Sequence, residues 1–157
     1  MDAVGLTVLL KEVQADSAVI QNAAQEAASH LTENSRGRLK ACAFEMARLY
    51  NTFEKILERI CIAFENHFEK RGDYHERLLE RLALALPGIR PAFIPKEFLS
   101  SLGELKGFRH VVRHAYNLEL REDRLKELVT LADQLAAQLP RWAEDFGKQV
   151  RAEQSWK

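Results

Sequence analysis

Residues 39–64 read LKACAFEMARLYNTFEKILERICIAF. Leu39, Cys42, Met46, Leu49, Phe53, Ile56, Ile60 and Phe64 recur at steps of three and four almost without error, the seam of a long helix packed lengthwise on its neighbours. Glu54, Lys55, Glu58 and Arg59 between them read as an ordinary solvated face. The seam predicts bundle core, and the same spacing governs most of the chain.

Upstream, Leu6, Leu10, Val13, Ile20, Ala24, Ala27 and Leu31 form a first stripe ending at the polar stretch 32–37, which reads as a turn. Downstream, Arg71 and Gly72 should end the seam helix, because glycine suits the left-handed residue after a helix, and Asp73 with Glu76 then forms a capping box for a third helix over Tyr74 to Leu86. Three prolines in PGIRPAFIP (87–95) remove donors and fix φ, so that segment is a loop, with Pro95 opening the next helix. A fourth helical region runs from Lys96 to Leu118, with Gly103 as a possible break, and a fifth from Glu122 onward with Pro140 as a kink or stop. These lengths predict an all-α protein: an antiparallel bundle of four to five helices, the two N-terminal ones long, forming a single domain over residues 1–157.

Composition narrows the function. Lys plus Arg (23) balance Asp plus Glu (23), which excludes a histone-like polyanion-binding surface and confines any nucleic-acid contact to a local site. The start, MDAVGLTVLLKEVQ, fits neither a signal peptide nor a membrane span, so a cytoplasmic protein that does not engage a membrane is expected. Cys42 and Cys61 are 19 residues apart on one predicted helix, about 28 Å, too far for a disulfide, and lack the spacing of a zinc site. They read as reduced core residues. Phe44, Phe53, Phe64, Phe68, Phe93 and Phe98 read as core rather than as base-stacking platforms.

One helix looks unlike scaffold. At about 100° per residue, Phe108, Val111, Val112, Ala115 and Leu118 gather on one arc and Arg109, His110, Arg113, His114, Tyr116 and Asn117 on the other. The polar arc has two arginines, two histidines and no acid before Glu119. Such a cationic strip suits a phosphate, and an imidazole titrating near neutral pH suits proton transfer. His114 can take the proton of a ribose 2′-hydroxyl or give one to a leaving oxygen, with Arg109 and a second histidine for the remaining tasks, and this needs no metal or other cofactor. Arg109 and His114 lie about 7.5 Å apart along the axis and about 140° around it, so one helix converges them poorly and two copies facing across a two-fold are attractive. His110 and His114, four residues apart, could instead ligate a metal, but no carboxylate or cysteine stands at a matching position. His30, His67 and His75 belong to no constellation and receive no role.

The run Phe108 to Tyr116, FRHVVRHAY, followed by NLEL, resembles the signature of the HEPN superfamily, in particular the HepT-like ribonuclease toxins paired with MNT-type nucleotidyltransferase antitoxins. That pattern is an arginine, usually a polar residue next, four residues between arginine and histidine, and a tyrosine two beyond the histidine; Arg109, His110, His114 and Tyr116 fill it. Ala115 departs from it, since many members carry glycine there. The resemblance implies a metal-independent endoribonuclease acting on RNA, Arg109 and His114 as catalytic residues, His110 as polar support and a homodimer. It also implies that Tyr116 is an acceptor for adenylylation by the nucleotidyltransferase, whose added bulk and negative charge would repel an RNA phosphate. The alternative is a non-catalytic nucleotide-binding or partner-docking subunit of a nucleotidyltransferase complex.

Overall fold

A computed structural model describes residues 1–66, 69–114 and 119–154. The described residues form five helices: α1 (Ala3–Thr32), α2 (Arg38–Glu65), α3 (Tyr74–Leu82), α4 (Leu99–His114), entered through a 3-10 turn at Lys96–Phe98, and α5 (Glu122–Glu153). Among the described residues there is no strand, only an isolated bridge between Leu86 and Arg90.

Ion pairs and ring contacts give the directions. Arg59 pairs with Glu12 and Asp16 while Arg48 bonds Asn22, so α1 and α2 run antiparallel. Arg38 forks onto Glu122 at one end (2.9 Å for both bonds) and Phe64 meets Phe146 edge-on at the other. Thus α5 runs parallel to α2. Phe98 against Trp142 and Glu104 beside Arg124 set α4 antiparallel to α5. Both sequence stripes lie inside: Leu6, Val13, Ile20, Ala24 and Ala27 of α1 and Cys42, Met46, Leu49, Phe53, Ile56 and Ile60 of α2 are buried. At Gly147 an added Cβ would stand 2.8 Å from Leu10 Cδ1, so α5 lies close on α1 there.

Several boundaries differ from expectation for local reasons. α2 stops at Glu65 because Asn66 takes the left-handed conformation (φ 53°) and its N–H returns to Ile62; asparagine tolerates that region. Gly72 (φ 55°) serves the turn that follows. Asp73 precedes α3, but its carboxylate pairs with Arg77 at 2.9 Å rather than capping the backbone. α3 ends at Leu82, whose carbonyl accepts from the N–H groups of Phe93 and Ile94, folding the proline segment back on the helix. α4 is unbroken at Gly103, and α5 continues through Pro140.

The proline segment is pinned by Arg90. Its side chain is fully buried and donates to the carbonyls of Leu84 (3.0 Å), Pro91 (3.2 Å) and Arg81 (3.1 Å), with Glu65 at 3.4 Å as counter-charge. Phe93 then packs edge-on against Trp142 and Phe146. Phe44, expected in the core, is 65% exposed: it stands one position outside the seam, on the outer side of Ala43.

Candidate functional site

The inward row of α4 is Leu102, Leu105 and Arg109, steps of three and four that make Arg109 the continuation of an apolar stripe. Its side chain is only 6% exposed. This corrects the expected wheel, in which Arg109 shared a solvated strip with His110, Arg113 and His114; Val111, assigned to the inner arc, is 48% exposed.

The reason is a partner distant in sequence. Glu54 of α2, read from the sequence as part of a solvated face, is buried. Its Oε1 lies 3.3 Å from Arg109 Nη1, and its Oε2 lies 2.5 Å from His75 Nδ1 at the start of α3. One carboxylate therefore bridges a guanidinium and an imidazole from two other helices. Arg109 Nη1 also donates to Asn51 Oδ1 at 3.1 Å, one turn before Glu54 on α2, and its guanidinium carbon lies 5.4 Å from the centre of the Tyr50 ring, within cation–π range. Burying a charge without such partners would cost several kcal/mol, at roughly the level that breaking a buried ion pair costs.

Arg109 Nη2 lies 3.0 Å from the same Nδ1 of His75. That nitrogen cannot donate to Glu54 and accept from Arg109 at once. The shorter, charge-assisted bond to the carboxylate decides, so Nδ1 carries the hydrogen and, in the neutral ring, the lone pair is on Nε2. The Tyr74 ring lies 3.8 Å from the His75 ring. Burial, reinforced by Glu54, pushes the Tyr50 phenol far up, and burial likewise raises Tyr74. Neither ionises near neutral pH.

On the other side of α4 and toward its end the surroundings change. His110, Arg113 and His114 are exposed, and the His110 and His114 rings lie 4.4 Å apart. Among the described residues no group of three His, Cys, Asp or Glu side chains is arranged to hold a metal ion. Tyr116 lies outside the described residues. Of the motif residues, the structure thus brings His110 and His114 together at the surface and separates Arg109 from them, inward, with Glu54, Asn51 and His75.

His75 and Glu54 escaped the sequence reading. One signal was present: Tyr50, Leu57 and Cys61 form a second buried row on α2, and Glu54 stands in it at the step between Tyr50 and Leu57. A carboxylate in an apolar row demands a cation.

An all-helical bundle carrying an Arg-x4-His motif on its fourth helix defines the class, and comparison with known families agrees. A family model described as HepT-like protein matches residues 41–150, from the first turn of α2 to near the end of α5. The chain belongs to this HepT-like family of the HEPN superfamily. No curated protein and no solved structure matches it. No helix among the described residues is long and apolar enough to cross a membrane.

Proposed function

We propose that this protein, acting as a single domain over residues 1–157, is the metal-independent endoribonuclease toxin of a toxin–antitoxin pair. The observation that carries the reading is the exposed His110–His114 pair, two imidazoles 4.4 Å apart on the motif helix of a HepT-like chain. Transesterification through a ribose 2′-hydroxyl needs a base, an acid and positive charge near the phosphate. His114 takes one proton transfer, His110 supports it, and exposed Arg113 meets phosphate oxygens. Arg109, buried against Glu54, serves as a positioning residue behind them. Incubation with RNA in EDTA should give products ending in 2′,3′-cyclic phosphate, and His114→Ala should abolish cleavage far more than RNA binding. Products with 3′-hydroxyl ends, or activity lost only on chelation, would reject these roles.

The partner in this reading is an MNT-type nucleotidyltransferase, with Tyr116 as adenylate acceptor; Tyr116→Phe should block modification and leave toxicity, and mass spectrometry placing the adduct elsewhere would refute it. A homodimer is also proposed. Gly103 and Gly107 have open space at their Cβ positions, and with Val111, His110 and His114 they give α4 a face a second copy could approach closely. A light-scattering mass of one chain would count heavily against this. The engagement of Arg109 by Glu54 and Asn51 favours one alternative, a non-catalytic subunit that docks a nucleotide or the nucleotidyltransferase; wild-type protein that binds RNA or nucleotide and cleaves nothing would select it.

A further inference from the structure

We infer that His75 is the general base of this site, oriented by Glu54, an inference that rests on the ribonuclease reading above. His75 is the second residue of α3, with 30% of its side chain exposed, whereas Glu54 is 7% exposed. The imidazole therefore has one edge anchored on a buried carboxylate and another part reaching solvent. With Nδ1–H given to Glu54, the Nε2 lone pair is the edge left for a substrate, the arrangement by which a carboxylate fixes the tautomer and direction of a catalytic imidazole.

A purely structural reading of His75 leaves one fact over. Arg109 already neutralises Glu54 and is itself bonded by Asn51, so the buried carboxylate has its counter-charge without an imidazole. Tyr74 flanks the His75 ring and restricts its rotation. His75 stands beside α4, its Nδ1 3.0 Å from Arg109 Nη2, and Arg113 stands one turn beyond Arg109 on the same side of the helix.

In the step this defines, His75 Nε2 removes the proton from a ribose 2′-hydroxyl and the 2′-oxygen bonds to the adjacent phosphorus. The bond from phosphorus to the 5′-oxygen breaks, and that oxygen takes a proton from the His114 imidazolium. The products are a 2′,3′-cyclic phosphate and a 5′-hydroxyl end, and solvent exchange restores both histidines. Glu54 holds His75 and Arg109 pairs with Glu54; neither is assigned a contact with substrate.

The test uses the full chain and a single-stranded RNA in EDTA, comparing wild type with His75→Asn and His75→Ala. Asparagine keeps an N–H donor for Glu54 but has no base, so His75→Asn should melt near the wild-type temperature, bind RNA as well, and lose about 100-fold or more in kcat. Added imidazole should restore part of the cleavage lost in His75→Ala. Active wild type with an equally active His75→Asn, or no rescue of His75→Ala by imidazole, overturns the base role and leaves the ribonuclease reading standing. Wild type that cleaves no RNA overturns the ribonuclease reading, and the base role with it.

Discussion

Arg109 Nη1 lies 3.3 Å from Glu54 Oε1, and both side chains are almost wholly buried. Removing one partner leaves the other as a buried, uncompensated charge, which costs about 3–5 kcal/mol, roughly 10 °C in melting temperature at this chain length. Arg109→Ala should therefore lower Tm by that order whether or not RNA is present, and Glu54→Gln combined with Arg109→Met should recover much of the loss. A Tm for Arg109→Ala within about 2 °C of wild type, on the same scale, would contradict the pairing.

Glu65 predicts how acid acts on the loop pinned by Arg90. Burial pushes its carboxyl up, but the Cys61 thiol, Arg81 and Arg90 together outweigh this and hold it below the usual carboxylate range. A depressed carboxylate contributes stability that is present above its unfolded value, about 4.3, and is lost as pH falls through its folded value. Urea unfolding from pH 7 to pH 3 should show that loss for wild type and a shallower acid slope for Glu65→Gln. Identical slopes would refute the coupling.

The two thiols should be silent in the native state. Burial raises Cys42 to about 11 and Cys61 to about 12, the latter reinforced by Glu65, so little thiolate exists at pH 8 and no access to it. A chromogenic disulfide reagent should titrate no thiol in the folded protein and both in urea. Rapid labelling of either without denaturant would contradict this.

Phe44 and Phe53 should part company on mutation. Phe53 is 0% exposed and Phe44 65%, so Phe53→Ala should cost about 3–5 kcal/mol, whereas Phe44→Ala should stay within about 0.5 kcal/mol in chemical denaturation of the isolated chain. Comparable losses would mean that Phe44 is covered in solution.

The periodicity of residues 39–64 was enough to place α2 and its core row, because apolar spacing is a local property of a helix. The motif was legible too, since Arg109, His110 and His114 stand close in sequence on α4. The surroundings of Arg109 were not. A charged residue on a helical wheel is read as outward, and only a carboxylate from α2 makes it inward. His75 showed no constellation because its partners stand at positions 54 and 109, joined by the fold alone. The end of α2 was missed because Asn66, not a glycine, adopts the left-handed cap.

The bridging carboxylate has a genetic consequence. An allele altered at Arg109 or Glu54 disturbs folding as well as any activity, and its product is open to proteolysis. His110 and His114 are exposed, so alleles altered there keep a folded, abundant product. Selection for survivors of the proposed toxicity should therefore yield two separable groups: full-length, soluble protein altered at His110 or His114, and low-abundance protein altered at Arg109 or Glu54.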